Sequence, residues 1–170
     1  MATVLYESAY GSTGRYAQAL AERLGTTAVP LADATLPADP HDPVIVLSYV
    51  HGPVVPAATF VSRQDLGGRP VAVCAVGMTL IDVARAKDQL KGQVPDGVAR
   101  FYLPGRLDYS TMNRKHRMIM WGIVKALKAK KEADRSPNDQ AMIDSYDTDT
   151  DHVDLGELDP VVEWAQAAGR

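Results

Sequence analysis

Short apolar runs bounded by Gly, Pro and Ser recur at Thr3–Tyr6, Thr27–Pro30, Val44–Leu47, Val71–Ala75 and Ala99–Leu103, and stretches of helical period separate most of them. The third and fourth runs are almost continuously Val, Ile, Leu and Ala, the pattern of strands buried on both faces, so they are expected at the centre of a parallel sheet. Helices are expected at about Gly14–Leu24, Ala57–Gln64, Leu80–Leu90, Thr111–Lys130 and Pro160–Ala168, the last opening on a proline that suits a first turn. Right-handed β-α-β connections then predict an α/β doubly wound sheet with helices on both faces. The polar stretch Ala133–Asp159 is expected to be a long loop.

With 170 residues, 46% of them hydrophobic, the chain is expected to form a single domain over residues 1–170. No run approaches the roughly 20 apolar residues of a membrane span, and Met1-Ala2-Thr3 enters the first strand without a basic leader, which predicts a cytoplasmic protein. Cys74 is the one cysteine and lies inside an apolar run, so a buried core residue is expected there. The net charge of -3 hides a polarity: Arg114, Lys115, Arg117, Lys125, Lys128, Lys130 and Lys131 crowd one segment, and a strongly acidic stretch follows.

The richest local chemistry lies in Ser8-Ala9-Tyr10-Gly11-Ser12-Thr13-Gly14, between the first strand and the first helix. A strand that ends in a hydroxyl- and glycine-rich turn and restarts as a helix leaves backbone N–H groups converging on one point, a ready anion site. Ser8, Ser12 and Thr13 add hydroxyl donors, and Gly11 relieves the backbone of a side chain. No lysine follows, and Gly11 and Gly14 are wrongly spaced for a dinucleotide turn, so a single phosphate held by neutral donors remains.

Val4, Leu5, Tyr6, Ser8, Gly11, Thr13 and Ala17 stand at the offsets of the flavodoxin signature, and the chain resembles the flavodoxins and their flavodoxin-domain relatives. Tyr10 departs from the pattern, standing where many flavodoxins carry a second phosphate-binding Thr. The resemblance implies the sheet order 2-1-3-4-5, flavin mononucleotide (FMN) as cofactor, and a ring held by the loops after the third and fourth strands. In the first of these loops, Ser48, Tyr49, Val50, His51 and Gly52, the resemblance makes Tyr49 or His51 a stacking partner and Gly52 a backbone contact to the ring edge. Val76, Gly77, Met78 and Thr79 form the second, where Thr79 also suits a helix N-cap. Neither loop carries a carboxylate before Asp82.

A narrower resemblance is to the flavodoxin-like menaquinone-dependent protoporphyrinogen dehydrogenases. It rests on Phe101-Tyr102-Leu103-Pro104-Gly105-Arg106-Leu107-Asp108-Tyr109, on the methionine-rich basic helix Met112–Lys131, and on Val153-Asp154 with Val161–Ala165 near the end. In that helix Ile119, Ile123 and Leu127 share a face flanked by Met120 and Val124. The pattern predicts a helix packed on the sheet with a solvated basic rim; the alternative is a docking surface for an anionic lipid, a porphyrin carboxylate or an acidic partner, with peripheral membrane contact through Met112–Lys131. Nucleic acid is not expected, because the chain is acidic overall and has no recognition module.

G-x-S-x-G, H-E-x-x-H and C-x-x-C are all absent, which removes their hydrolase, metalloprotease and dithiol chemistries. Ser48 stands where a receiver domain needs an aspartate, and no cysteine lies in the first loop, as a low-molecular-weight phosphatase requires. The expected function is an FMN oxidoreductase acting on a quinone- or porphyrinogen-type substrate. Two alternatives stay open: an electron carrier that docks to redox partner proteins, and a flavodoxin fold in which Tyr10 has weakened FMN binding.

Overall fold

The computed structural model describes residues 1–170. Five parallel strands, β1 (Thr3–Glu7), β2 (Ala28–Pro30), β3 (Val44–Tyr49), β4 (Val71–Gly77) and β5 (Ala99–Pro104), form one sheet in the order β2-β1-β3-β4-β5. The helices α1 (Ser12–Leu24), α2 (Pro56–Arg63) and α3 (Ile81–Lys87) follow β1, β3 and β4. This is the α/β doubly wound architecture with the 2-1-3-4-5 order that the sequence and its resemblance predict.

Side chains alternate across each strand, so the sheet has two apolar faces. On one, Val4, Ile45, Leu47, Ala72 and Cys74 pack under Tyr16 and Leu20 of α1 and Val161 and Ala165 of the last helix; on the other, Leu5, Val46 and Val73 pack under Ala57, Ala58 and Val61 of α2. β3 and β4 are buried along almost their whole length, as a central position requires. Cys74 is fully buried and burial pushes its thiol pKa up, which leaves it an inert core residue.

The predicted boundaries shift in an instructive way. β3 runs on to Tyr49 and β4 to Gly77, so Ser48, Tyr49, Val76 and Gly77 are strand residues and not loop residues. They pair across the sheet, Ser48 with Ala75 and Tyr49 with Val76, and the ladder extends each strand past its apolar run. The predicted helix Leu80–Leu90 breaks at Asp88, whose φ of 44° lies in the left-handed region, and resumes as a 3-10 turn at Gln89–Gly92. Thr79 is not its N-cap: Leu80 holds that position, and its N–H donates to Asn138 Oδ1 at 3.1 Å.

The largest departure is Ala133–Asp159, which is not a long loop. It holds α5 (Pro137–Asp144), opened by a Ser136–Asp139 capping box, and β7 (Thr150–Asp151), which pairs antiparallel with β6 (Arg106–Leu107). Between these lie α4 (Arg114–Ala129), and α6 (Asp159–Ala168) returns to the sheet. Both sheet faces are already covered, so α4 packs instead on α5, with Val124 its one fully buried side chain. The prediction that this helix lies on the sheet is therefore corrected. Tyr16 ties the added segment to the core: its hydroxyl donates to the Pro104 carbonyl at 2.7 Å and accepts from the Asp154 N–H at 2.9 Å. No helix is long and apolar enough to cross a membrane.

Candidate functional site

The order β2-β1-β3-β4-β5 reverses direction between β1 and β3, and there the loops after these strands diverge and leave a crevice at their carboxyl ends. β1 delivers Ser8 to Gly14 to this edge. Gly11 sits at φ 88°, a conformation closed to most side chains, and this turn lets α1 begin directly at Ser12. Ser8 Oγ accepts from the Gly11 N–H at 3.1 Å, and the helical ladder starts with the Arg15 N–H donating to the Gly11 carbonyl at 3.1 Å. The N–H groups of Ser12, Thr13 and Gly14 donate to no group of the protein, as a first helical turn dictates.

Thr13 provides the decisive detail. Its residue is 1% exposed and its Oγ1 is buried without any hydrogen-bond partner, an arrangement that costs on the order of 1–3 kcal/mol if nothing satisfies it. The neighbouring Ser12 is buried as well. An unpartnered hydroxyl and three unpaired amides in the first turn of a helix are donors of the kind an anion accepts from. Residues 3–134, from β1 through α4, match the family model described as a flavodoxin domain. The chain belongs to the flavodoxin-domain family. No curated protein and no solved structure matches it.

At this edge the loops after β3 and β4 behave differently from one another. Val50 donates its N–H to the Val76 carbonyl at 3.0 Å, and His51 and Val54 exchange two backbone hydrogen bonds around Gly52, whose φ is 58°. Gly52 accepts at its carbonyl from Gln89 Nε2 at 2.7 Å, which leaves its N–H as the group free to meet a ligand. The Ser48 hydroxyl is committed inside the protein, accepting from the Ala57 N–H at 2.9 Å at the start of α2 and donating to the Tyr49 carbonyl at 3.2 Å. In the second loop the carbonyls of Val76 and Gly77 already accept from Val50 and from the Gly105 N–H, so Met78 and Thr79 contribute the accessible part.

Four rings gather where these loops meet. Tyr49 and His51 lie 4.5 Å apart between centroids, His51 and His116 5.5 Å, Tyr10 and His51 6.1 Å, and Tyr10 and His116 6.2 Å. The Tyr10 hydroxyl pairs with His116 Nδ1 at 2.5 Å, so in this structure it serves α4 and not the anion turn. His116 comes from the first turn of α4, which Asn113 caps by accepting from the His116 N–H at 2.9 Å. The sequence reading missed His116, because nothing in the local pattern marks one ring of a basic helix for this edge. It also missed Glu7: Tyr49 donates its hydroxyl to Glu7 Oε1 at 3.3 Å, so a carboxylate does stand beside the loop after β3, supplied by β1.

Tyr102 and Tyr109 have other neighbours. Tyr102 donates to Asp88 and accepts from the Leu90 N–H, while Tyr109 is buried edge-on against Tyr146 with its hydroxyl unpartnered. A cleft of about 530 Å³ lies along the free edge of β5 between Arg100 and Glu157. It contains none of the loop residues above, and ion pairs of Arg100 with Asp88 and Arg85 with Glu157 cross it.

Burial and, secondarily, the neighbouring His116 hold the His51 pKa below its usual value. A histidine whose folded pKa is depressed takes up its proton more readily when unfolded, so it disfavours the fold as pH falls through the usual value toward the depressed one. The fold is accordingly expected to lose a small part of its stability on acidification through the histidine range. His51→Gln should flatten this part of the dependence of urea midpoint on pH; an unchanged profile would assign it to another group.

Proposed function

We propose that this chain is an FMN-binding redox protein that acts as an oxidoreductase on a small molecule of its own. The unpartnered, buried Thr13 hydroxyl in the same helical turn as three free amides carries the reading, because it is the donor set a terminal phosphate demands. Ser8, Ser12, Thr13 and Gly14 would hold the phosphate, while Tyr49 and His51 would flank the ring and Val50, Gly52, Met78 and Thr79 its edge. Tyr10 would lie between these two parts, its hydroxyl engaged by His116. Bound FMN would supply one- and two-electron transfer; the protein's share is to bind it, exclude water and set its potential.

Tyr49 and Glu7 bear on that potential. A carboxylate near the ring disfavours added negative charge, and its hydrogen bond from Tyr49 holds it there. The basic segment supports a substrate that is anionic or membrane-delivered, of quinone or porphyrinogen type, over the carrier reading, since carriers that dock to basic partners are strongly acidic.

The purified protein should bind FMN at roughly one per chain and prefer it to riboflavin; equal affinities would remove the phosphate assignment. Oxidation of protoporphyrinogen with a menaquinone analogue would support the enzyme, whereas rapid exchange with a ferredoxin-type reductase and no such activity would replace it with the carrier. Separate Tyr49→Ala and His51→Ala variants should each weaken FMN by about 1–3 kcal/mol or raise bound-flavin fluorescence. Unaltered affinity and spectra in both and in the double variant would move the ring elsewhere.

A further inference from the structure

Helix α4 turns its apolar side chains outward. Met118 is 71% exposed, Trp121 52%, Ile119 50% and Ile123 40%, while Val124 alone is buried against the rest of the molecule. Exposed apolar residues in this number on one helix are a patch that needs explanation. On the helical wheel Ile119, Gly122, Ile123 and Ala126 form one outward stripe, edged by Met118 and Trp121 on the side where Arg114, Lys125 and Lys128 stand.

The cations around the stripe divide into two sets. Arg117 pairs with Asp147 at 2.8 Å and Lys130 with Asp139 at 2.9 Å, both toward the acidic segment that carries α5. Arg114, Lys115, Lys125, Lys128 and Lys131 have no carboxylate partner. Lys125 instead lies over the Trp121 ring, 4.7 Å from its centroid, so its methylene stem widens the apolar band while its ammonium stays at the edge. Residues 112–131 hold seven basic side chains and no acidic one in a chain whose net charge is -3.

We propose that α4 is a membrane-docking helix that lies in the surface of an anionic bilayer. A bilayer needs only an apolar stripe, an interfacial aromatic and flanking cations, and α4 presents all three without the concave shape a protein groove would require. The acidic remainder of the molecule repels the same surface, so attraction is confined to this helix and orients the protein on it. His116 in the first turn of α4 touches Tyr10 and His51, so docking brings the proposed flavin edge to the lipid. The surface does not depend on FMN, so vesicle binding and flavin binding can fail independently.

The test is flotation of the protein with vesicles of phosphatidylglycerol and phosphatidylcholine and with phosphatidylcholine alone. Binding is expected on the anionic vesicles, with a blue shift of tryptophan emission that Trp121→Phe abolishes. It should weaken with salt, because surface attraction decays over about 8 Å at physiological ionic strength. Replacing Lys125 and Lys128 by Gln should lower affinity about fivefold per charge. Ile119→Ser with Ile123→Ser should lower it further at high salt, while circular dichroism stays parental because these residues are exposed. No binding to anionic vesicles, or binding that all these variants retain, overturns the proposal. Sedimentation as a dimer that the Ile119→Ser, Ile123→Ser variant dissociates would overturn it in favour of a second copy of the chain.

Discussion

Thr13→Val is expected to do two opposite things. FMN affinity should fall about 5- to 150-fold, corresponding to about 1–3 kcal/mol, because a hydroxyl donor becomes a methyl group facing an anion. The protein without flavin should become more stable, since valine keeps the shape of threonine and removes a buried hydroxyl that has no partner. In a chain of this size each kcal/mol raises the unfolding midpoint by about 2–4 °C. Titration calorimetry and thermal unfolding of the flavin-free form measure the two separately. Weaker FMN with a lowered midpoint would indicate a damaged loop and not a lost phosphate contact.

The second large effect concerns Tyr16, the bulkiest of the fully buried side chains. Tyr16→Ala is expected to cost about 3–5 kcal/mol, the range for emptying an aromatic site in a packed core. Tyr16→Phe keeps the ring and leaves the Pro104 carbonyl and the Asp154 N–H without their partner, for about 1–3 kcal/mol. Burial pushes the Tyr16 pKa up to about 12, so the phenol stays protonated and able to donate throughout the neutral range. Urea unfolding of the three proteins checks the order. A Phe variant as stable as the parent would mean that the hydroxyl bridge between α1, β5 and the Asp154 segment contributes nothing net, with water replacing it.

These two residues differ in how visible they are along the chain. Thr13 sits in a turn whose chemistry is local: the strand, the positive-φ glycine and the first helical turn are neighbours, so seven residues carry the donor set. Tyr16 shows only as an apolar position three residues later. Its two hydrogen-bond partners lie in segments 88 and 138 positions away, and no pattern in the sequence connects them.

The sequence by itself determined the sheet, its central strands and the Ser- and Gly-rich turn that opens α1. Each of these follows from continuous apolar runs, helical period or the backbone freedom of glycine, which act over a few residues. The ladder set the strand ends, because hydrogen bonding to a neighbour carries β3 to Tyr49 and β4 to Gly77 beyond their apolar runs. Only the tertiary structure placed Glu7 against Tyr49, joined Tyr10 to His116 across 106 positions, and turned Ile119 and Ile123 outward. The amphipathic period of α4 marks an apolar face, but what that face meets is decided by space. With both faces of the sheet already covered by other elements, α4 found only α5 to pack on.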